Sequence, residues 1–122
     1  MAVSNTAVVA LSGATLFRDT DCAATAVSVK GSSGVIYQLE IDNTGNGAVS
    51  YLKIWNTASG SVTVGTTAPD WVFMAPASTK FSIVIPDGVT LGTAITVACV
   101  TTAGTAGTTG PTSDVTVSIV YV

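Results

Sequence analysis

A chain of 122 residues suits one domain and is long enough to bury roughly two-thirds of its unfolded surface, so folding needs neither a disulfide nor a metal. Charged residues are only 9% against 48% hydrophobic, and the net charge is −3. With Arg18, Lys30, Lys53 and Lys80 as the cations, no basic stripe can neutralise a run of phosphates, and no apolar run approaches the ~18 residues of a spanning helix. Neither nucleic acid nor membrane is therefore expected as a partner.

Thr and Val are the commonest residues, a bias towards strands because branched side chains suit a pleated surface. No stretch has helical periodicity. Short β-rich runs alternate with Gly, Pro, Asn and Thr punctuation, which predicts strands near 7–11, 14–18, 25–30, 34–43, 48–56, 71–75, 79–86, 94–102 and 114–122. That is the pattern of a sandwich or barrel; of the two the expected fold is all-β, an antiparallel β-sandwich of eight strands in a jelly-roll arrangement, with little or no helix.

The start, MAVSNTAVVALSGA, has a short apolar run at Val8 to Leu11 but no positively charged n-region, so it reads as mature protein rather than a signal peptide. Residues 1–30 are the least regular. They are expected to form an N-terminal arm or added edge strands, with 31–122 as the sandwich of a single-domain chain. Asp19-Thr20-Asp21 offers hard oxygen ligands for a cation, but without a third acid a turn is the favoured reading. Cys22 and Cys99 lie far apart in the chain; two free buried thiols are favoured over a bridge, which fits assembly in a reducing cytoplasm.

The segment VIYQLEIDNTGNGAVSYLKIWN reads as two strands around a tight turn at Gly45-Asn46. Alternation puts Val35, Tyr37, Leu39 and Ile41 on the core side, and Ile36, Gln38, Glu40 and Asp42 outside. In the hairpin register Leu39 faces Leu52 and Tyr37 faces Ile54, so Leu52 and Ile54 join the core unless a β-bulge intervenes. Tyr51, Lys53 and Trp55 then form an outward aromatic row. Three coverings are open for it: a loop of the same chain (56–70 with Trp71), a second subunit, or a sugar ring.

Further along, Phe81, Ile83 and Ile85 point inward while Lys80 and Ser82 point out. Ile95, Val97 and Cys99 form the core set of the next strand. Val115, Val117, Ile119 and Tyr121 follow, leaving Val120 and Val122 as an outer apolar patch. Segments 56–70, 86–93 and 102–113 read as loops, the last of low complexity.

Catalytic chemistry is missing from the inventory. There is no His, Glu40 is the one glutamate, and Asp70 and Asp87 sit at loop starts where Asp commonly makes a turn. No nucleophile elbow and no glycine-rich phosphate cradle occurs. The expectation is a non-enzyme with no catalytic residue, metal or cofactor. Tyr51, Lys53, Trp55, Trp71, Val120 and Val122 are the candidate contact residues.

From GVIYQLEIDN through YLKIWN, VGTTAPDWVFMAPASTKFSIVIPDG and AITVACV to VSIVYV, about residues 34–122, the chain resembles small β-sandwich virion proteins of tailed bacteriophages. Capsid decoration (cement) proteins and fibre-type modules are among them. The resemblance implies a homotrimer on the outer capsid surface, assembled in the host cytoplasm, whose partner is the major capsid protein of the same virion. The rival expectation is a receptor- or carbohydrate-binding module of a phage fibre or a secreted protein, with Trp55 or Trp71 and loops 56–70 and 102–113 at the site.

Overall fold

The computed structural model describes residues 13–122; the expected strand at 7–11 lies outside them. Eight strands follow in order: β1 (Thr15–Asp19), β2 (Val27–Lys30), β3 (Gly34–Asp42), β4 (Ser50–Trp55), β5 (Trp71–Ala75), β6 (Lys80–Leu91), β7 (Ile95–Val100) and β8 (Thr116–Tyr121). The only helical piece among the described residues is one 3₁₀ turn at Ser59–Ser61. No helix there is long and apolar enough to cross a membrane.

The pairings have a simple logic. β1 pairs with β8, β2 with β7, β3 with β6 and β4 with β5, all antiparallel. The chain is thus one long hairpin rolled up, its successive pairs going to alternate sheets. Pairing of β3 with β8 and of β4 with β7 completes sheets of order β1-β8-β3-β6 and β2-β7-β4-β5. This is an antiparallel β-sandwich of eight described strands in jelly-roll order, the fold expected. β1 and β2 are edge strands of the roll itself, one in each sheet, so residues 15–30 are integral to the sandwich.

The core lies between the sheets. Leu39, Ile41, Val117 and Ile119 from one face meet Leu52, Ile54, Val97 and Cys99 from the other. Leu52 and Ile54 are buried as expected, but not through the expected hairpin. β3 and β4 belong to different sheets, and the 43–49 segment crosses between them. Both hairpin and crossover turn the same parity inward, because each sheet buries one face. The buried Asn43 holds the crossover: its Nδ2 donates to the carbonyls of Ala48 (2.9 Å), Pro76 (3.0 Å) and Ala75 (3.3 Å), and its Oδ1 accepts from Ser50 Oγ (2.8 Å).

Two further expectations are corrected. A register shift between Ile36 and Gln38 leaves Tyr37 unpaired, so Ile36 turns into the core while Val35 and Tyr37 are half-buried. The 86–93 segment is not all loop, since β6 resumes after a kink and Val89–Leu91 pair with Gly34–Ile36. Gly88 makes that kink at φ +73°, and a Cβ there would run into Val35 Cγ1 and the Tyr37 ring. Gly88→Ala therefore lowers unfolding stability by roughly 1–3 kcal/mol, measurable as an earlier urea midpoint.

Candidate functional site

On β4 the pleat sends Leu52 and Ile54 inward and Tyr51, Lys53 and Trp55 outward, yet Lys53 and Trp55 are both 0% exposed. The chain covers them with its own loops. Trp55 lies under segment 56–70 and donates its indole Nε1–H to Thr67 O at 2.9 Å. That segment is pinned at both ends: Asn56 N–H donates to Asp70 Oδ2 (2.7 Å), and Thr96 Oγ1 donates to Thr57 O (2.6 Å). Lys53 reaches under segment 101–113, where Nζ donates to the carbonyls of Gly104 (2.7 Å), Gly107 (3.1 Å) and Thr105 (3.4 Å). Burial pulls its pKa below the ordinary lysine value.

Lys53 and Trp55 therefore present no surface to a second subunit or a sugar, and that expectation is withdrawn for both. An outward apolar parity marks a face that must be covered; it does not say by what. The same-chain covering by 56–70 is what occurs, with 101–113 as a second lid.

The remaining candidates do not gather with them. Tyr51 is half-buried, beside Val100 and Met74 on the outer face. Trp71 is in register with Ile54, so it points towards the interior side, where it closes an apolar crevice between edge strands β5 and β6 with Phe73 and Ile85. It keeps 46% of its surface exposed. Val120 and Val122 belong to the opposite sheet.

That sheet holds what parity reasoning passed over. Register places Leu16, Val120, Gln38 and Val84 side by side across β1, β8, β3 and β6, one row spanning the outer face. Leu16 is 62% and Val84 63% exposed. The signal is present in TLFRD and KFSIV, where an apolar residue takes the outward position next to Arg18 in one strand and next to Ser82 in the other. The neighbouring rows are polar: Arg18, Ser118, Glu40 and Ser82, then Thr116, Asp42 and Lys80. Lys80 Nζ is 3.9 Å from both Glu40 and Asp42 carboxylates, at exposed sites where such pairs contribute little stability. Two hydrogen bonds from Thr44 hold the Asp42 carboxyl below its ordinary range.

In the Asp19-Thr20-Asp21 stretch, Asp19 Oδ1 accepts from Asp21 N–H at 3.1 Å, an Asx turn. Burial, with the neighbouring Asp21 carboxylate, pushes Asp19 up. Among the described residues no group of three or more Asp, Glu or Cys side chains comes together.

No family model matches the chain, and no curated protein matches it. Among solved structures, one of the Bacillus endospore appendages, described as a novel family of disulfide-linked pili, aligns at 20% identity over 97% of each chain with a TM-score of 0.31. A likeness at that score carries no weight for fold or role.

Proposed function

We infer that this jelly roll is a structural, non-enzymatic assembly subunit, and that it works as a trimeric virion decoration protein bound to the outer capsid surface. The observation that supports assembly is the contrast between the two outer faces. On one sheet two loops of the same chain cover Lys53 and Trp55, whereas the other carries the Leu16–Val120–Val84 row in the open. Covering Leu16 and Val84 would gain roughly 1–2 kcal/mol each, enough to bias association when repeated around a ring. A second, unlike surface at Val72 and Met74, both part-exposed on the outer face of edge strand β5, provides what a closed trimer needs, since each subunit there uses two different surfaces. The capsid role itself rests on the resemblance of residues 34–122 to decoration proteins in strand order and texture, with the YLKIWN strand. Asp70, which pins a loop, is a carboxylate committed to structure, and this also favours a non-enzyme.

Light scattering on the purified protein is expected to return three times the 12.2 kDa chain mass. Leu16→Asp with Val84→Asp should return a monomer with an unchanged circular dichroism spectrum, and should lose co-sedimentation with shells of the major capsid protein. A monomeric wild type that ignores such shells would sink this reading. The exposed Trp71 keeps a carbohydrate-binding module as the second reading; glycan binding abolished by Trp71→Ala would favour it.

A further inference from the structure

Cys22 lies in the turn between β1 and β2, where the chain passes from one sheet to the other. Cys99 is on the inner face of β7, in register with Leu52. Both belong to one core cluster, at 2% and 0% exposure. The backbone fixes the two segments against each other: Cys99 N–H donates to Ala23 O at 2.8 Å, and Cys22 N–H donates to Val115 O at 3.0 Å. A bond of that length one residue from Cys22 holds the two cysteine backbones close together, and closeness is the first requirement of a disulfide, which spans about 4.4–6.8 Å between Cα atoms. Both are free thiols, and the nearness of the Cys99 thiol together with burial pushes Cys22 well above the ordinary thiol range.

We propose that Cys22 and Cys99 are a disulfide-forming pair, and that oxidation converts the roll to a form latched internally from the β1–β2 turn to β7. The oxidant is a low-molecular-weight disulfide such as oxidised glutathione. One cysteine thiolate attacks a sulfur of the oxidant and releases a first thiol; the other cysteine then attacks the mixed disulfide and releases a second. One S–S bond forms in the protein and one breaks in the oxidant. The two cysteine protons end on the released thiols, and two electrons pass to the oxidant. The scarcity of thiolate in the folded core makes exchange slow there and fast while the chain is folding or the β1–β2 turn is open. Neither buried sulfur can reach a second chain, so the bridge is internal. It closes a loop containing β2 to β7, and so restricts the unfolded chain strongly.

The test is to refold the full chain from guanidinium, either in a mixture of reduced and oxidised glutathione or in excess dithiothreitol. The oxidised sample is expected to show no alkylatable thiol on denaturation, to run as a single chain on a non-reducing gel, and to yield one peptide joining Cys22 to Cys99. Its Tm should exceed that of the reduced sample by about 10 °C or more. Cys99→Ala should give one Tm in both buffers; if that variant does not fold, the two wild-type samples alone decide. Two alkylatable thiols after oxidative refolding, a glutathione adduct, chains cross-linked to one another, or a bridge without a rise in Tm would each overturn the proposal.

Discussion

Replacing Trp55 with alanine is expected to lower the unfolding free energy by roughly 3–5 kcal/mol, read from urea denaturation. Trp55 is among the largest fully buried side chains, and the loop above it cannot collapse far because Asn56, Thr57 and Asp70 tie it down. A domain of this class has about 5–15 kcal/mol in all, so the loss is a large share of the total. Trp55→Phe separates the causes. It keeps most of the ring and removes the indole donor to Thr67, so it should cost only about 1–2 kcal/mol. Neither variant should alter the solution mass of the folded protein. A subunit dissociation with an unchanged urea midpoint would instead place Trp55 at an interface.

Lys53→Met is expected to cost about 1–3 kcal/mol while leaving the sheets intact. Methionine keeps the apolar stem that Lys53 packs beneath the 101–113 segment, but three carbonyls lose their shared donor. Those carbonyls sit in an otherwise exposed loop and can rehydrate, which is why the loss falls short of that for an enclosed charge pair. The loss should therefore be local: faster amide exchange and proteolysis across 102–110, with protection of β4 and β7 retained. The pH dependence has a definite sign. Burial lowers the folded-state pKa of Lys53 below the ordinary 10.5, so within that window the unfolded chain binds more protons. Wild-type stability should consequently rise relative to Lys53→Met as pH is raised through the window. A constant difference over that range would show that the charge is not desolvated.

The pairing of these two residues explains how far the candidate site was legible. SYLKIW announces two faces by alternation alone, and its inner face is where alternation puts it. Alternation cannot distinguish a face covered by a neighbouring subunit from one covered by a loop of the same chain. Both require apolar or amphipathic side chains pointing outward. The covering loops, rich in Gly, Thr and Ala, carry little pattern of their own, and their contacts to Trp55 and Lys53 are made by backbone carbonyls that any residue supplies. In the opposite sheet the three apolar residues of the row are divided among β1, β8 and β6, with Gln38 of β3 between Val120 and Val84. Leu16 and Val84 look like isolated exceptions until register sets them beside Val120.

Composition and period-2 patterning by themselves determined the β class, the approximate positions of the eight described strands apart from the second half of β6, and most of the core, because burying one face of a strand writes itself into alternate residues. Tertiary structure alone decided which strand pairs with which. The tight 43–49 segment serves a crossover between sheets as well as it would a hairpin, and the buried amide of Asn43 is what holds it there. Tertiary structure alone also decided the parity at Tyr37, since one unpaired residue reverses which side faces the core. The same holds for Cys22 and Cys99: they meet only because the rolled hairpin brings its first turn against β7, a long-range closure that no local spacing records.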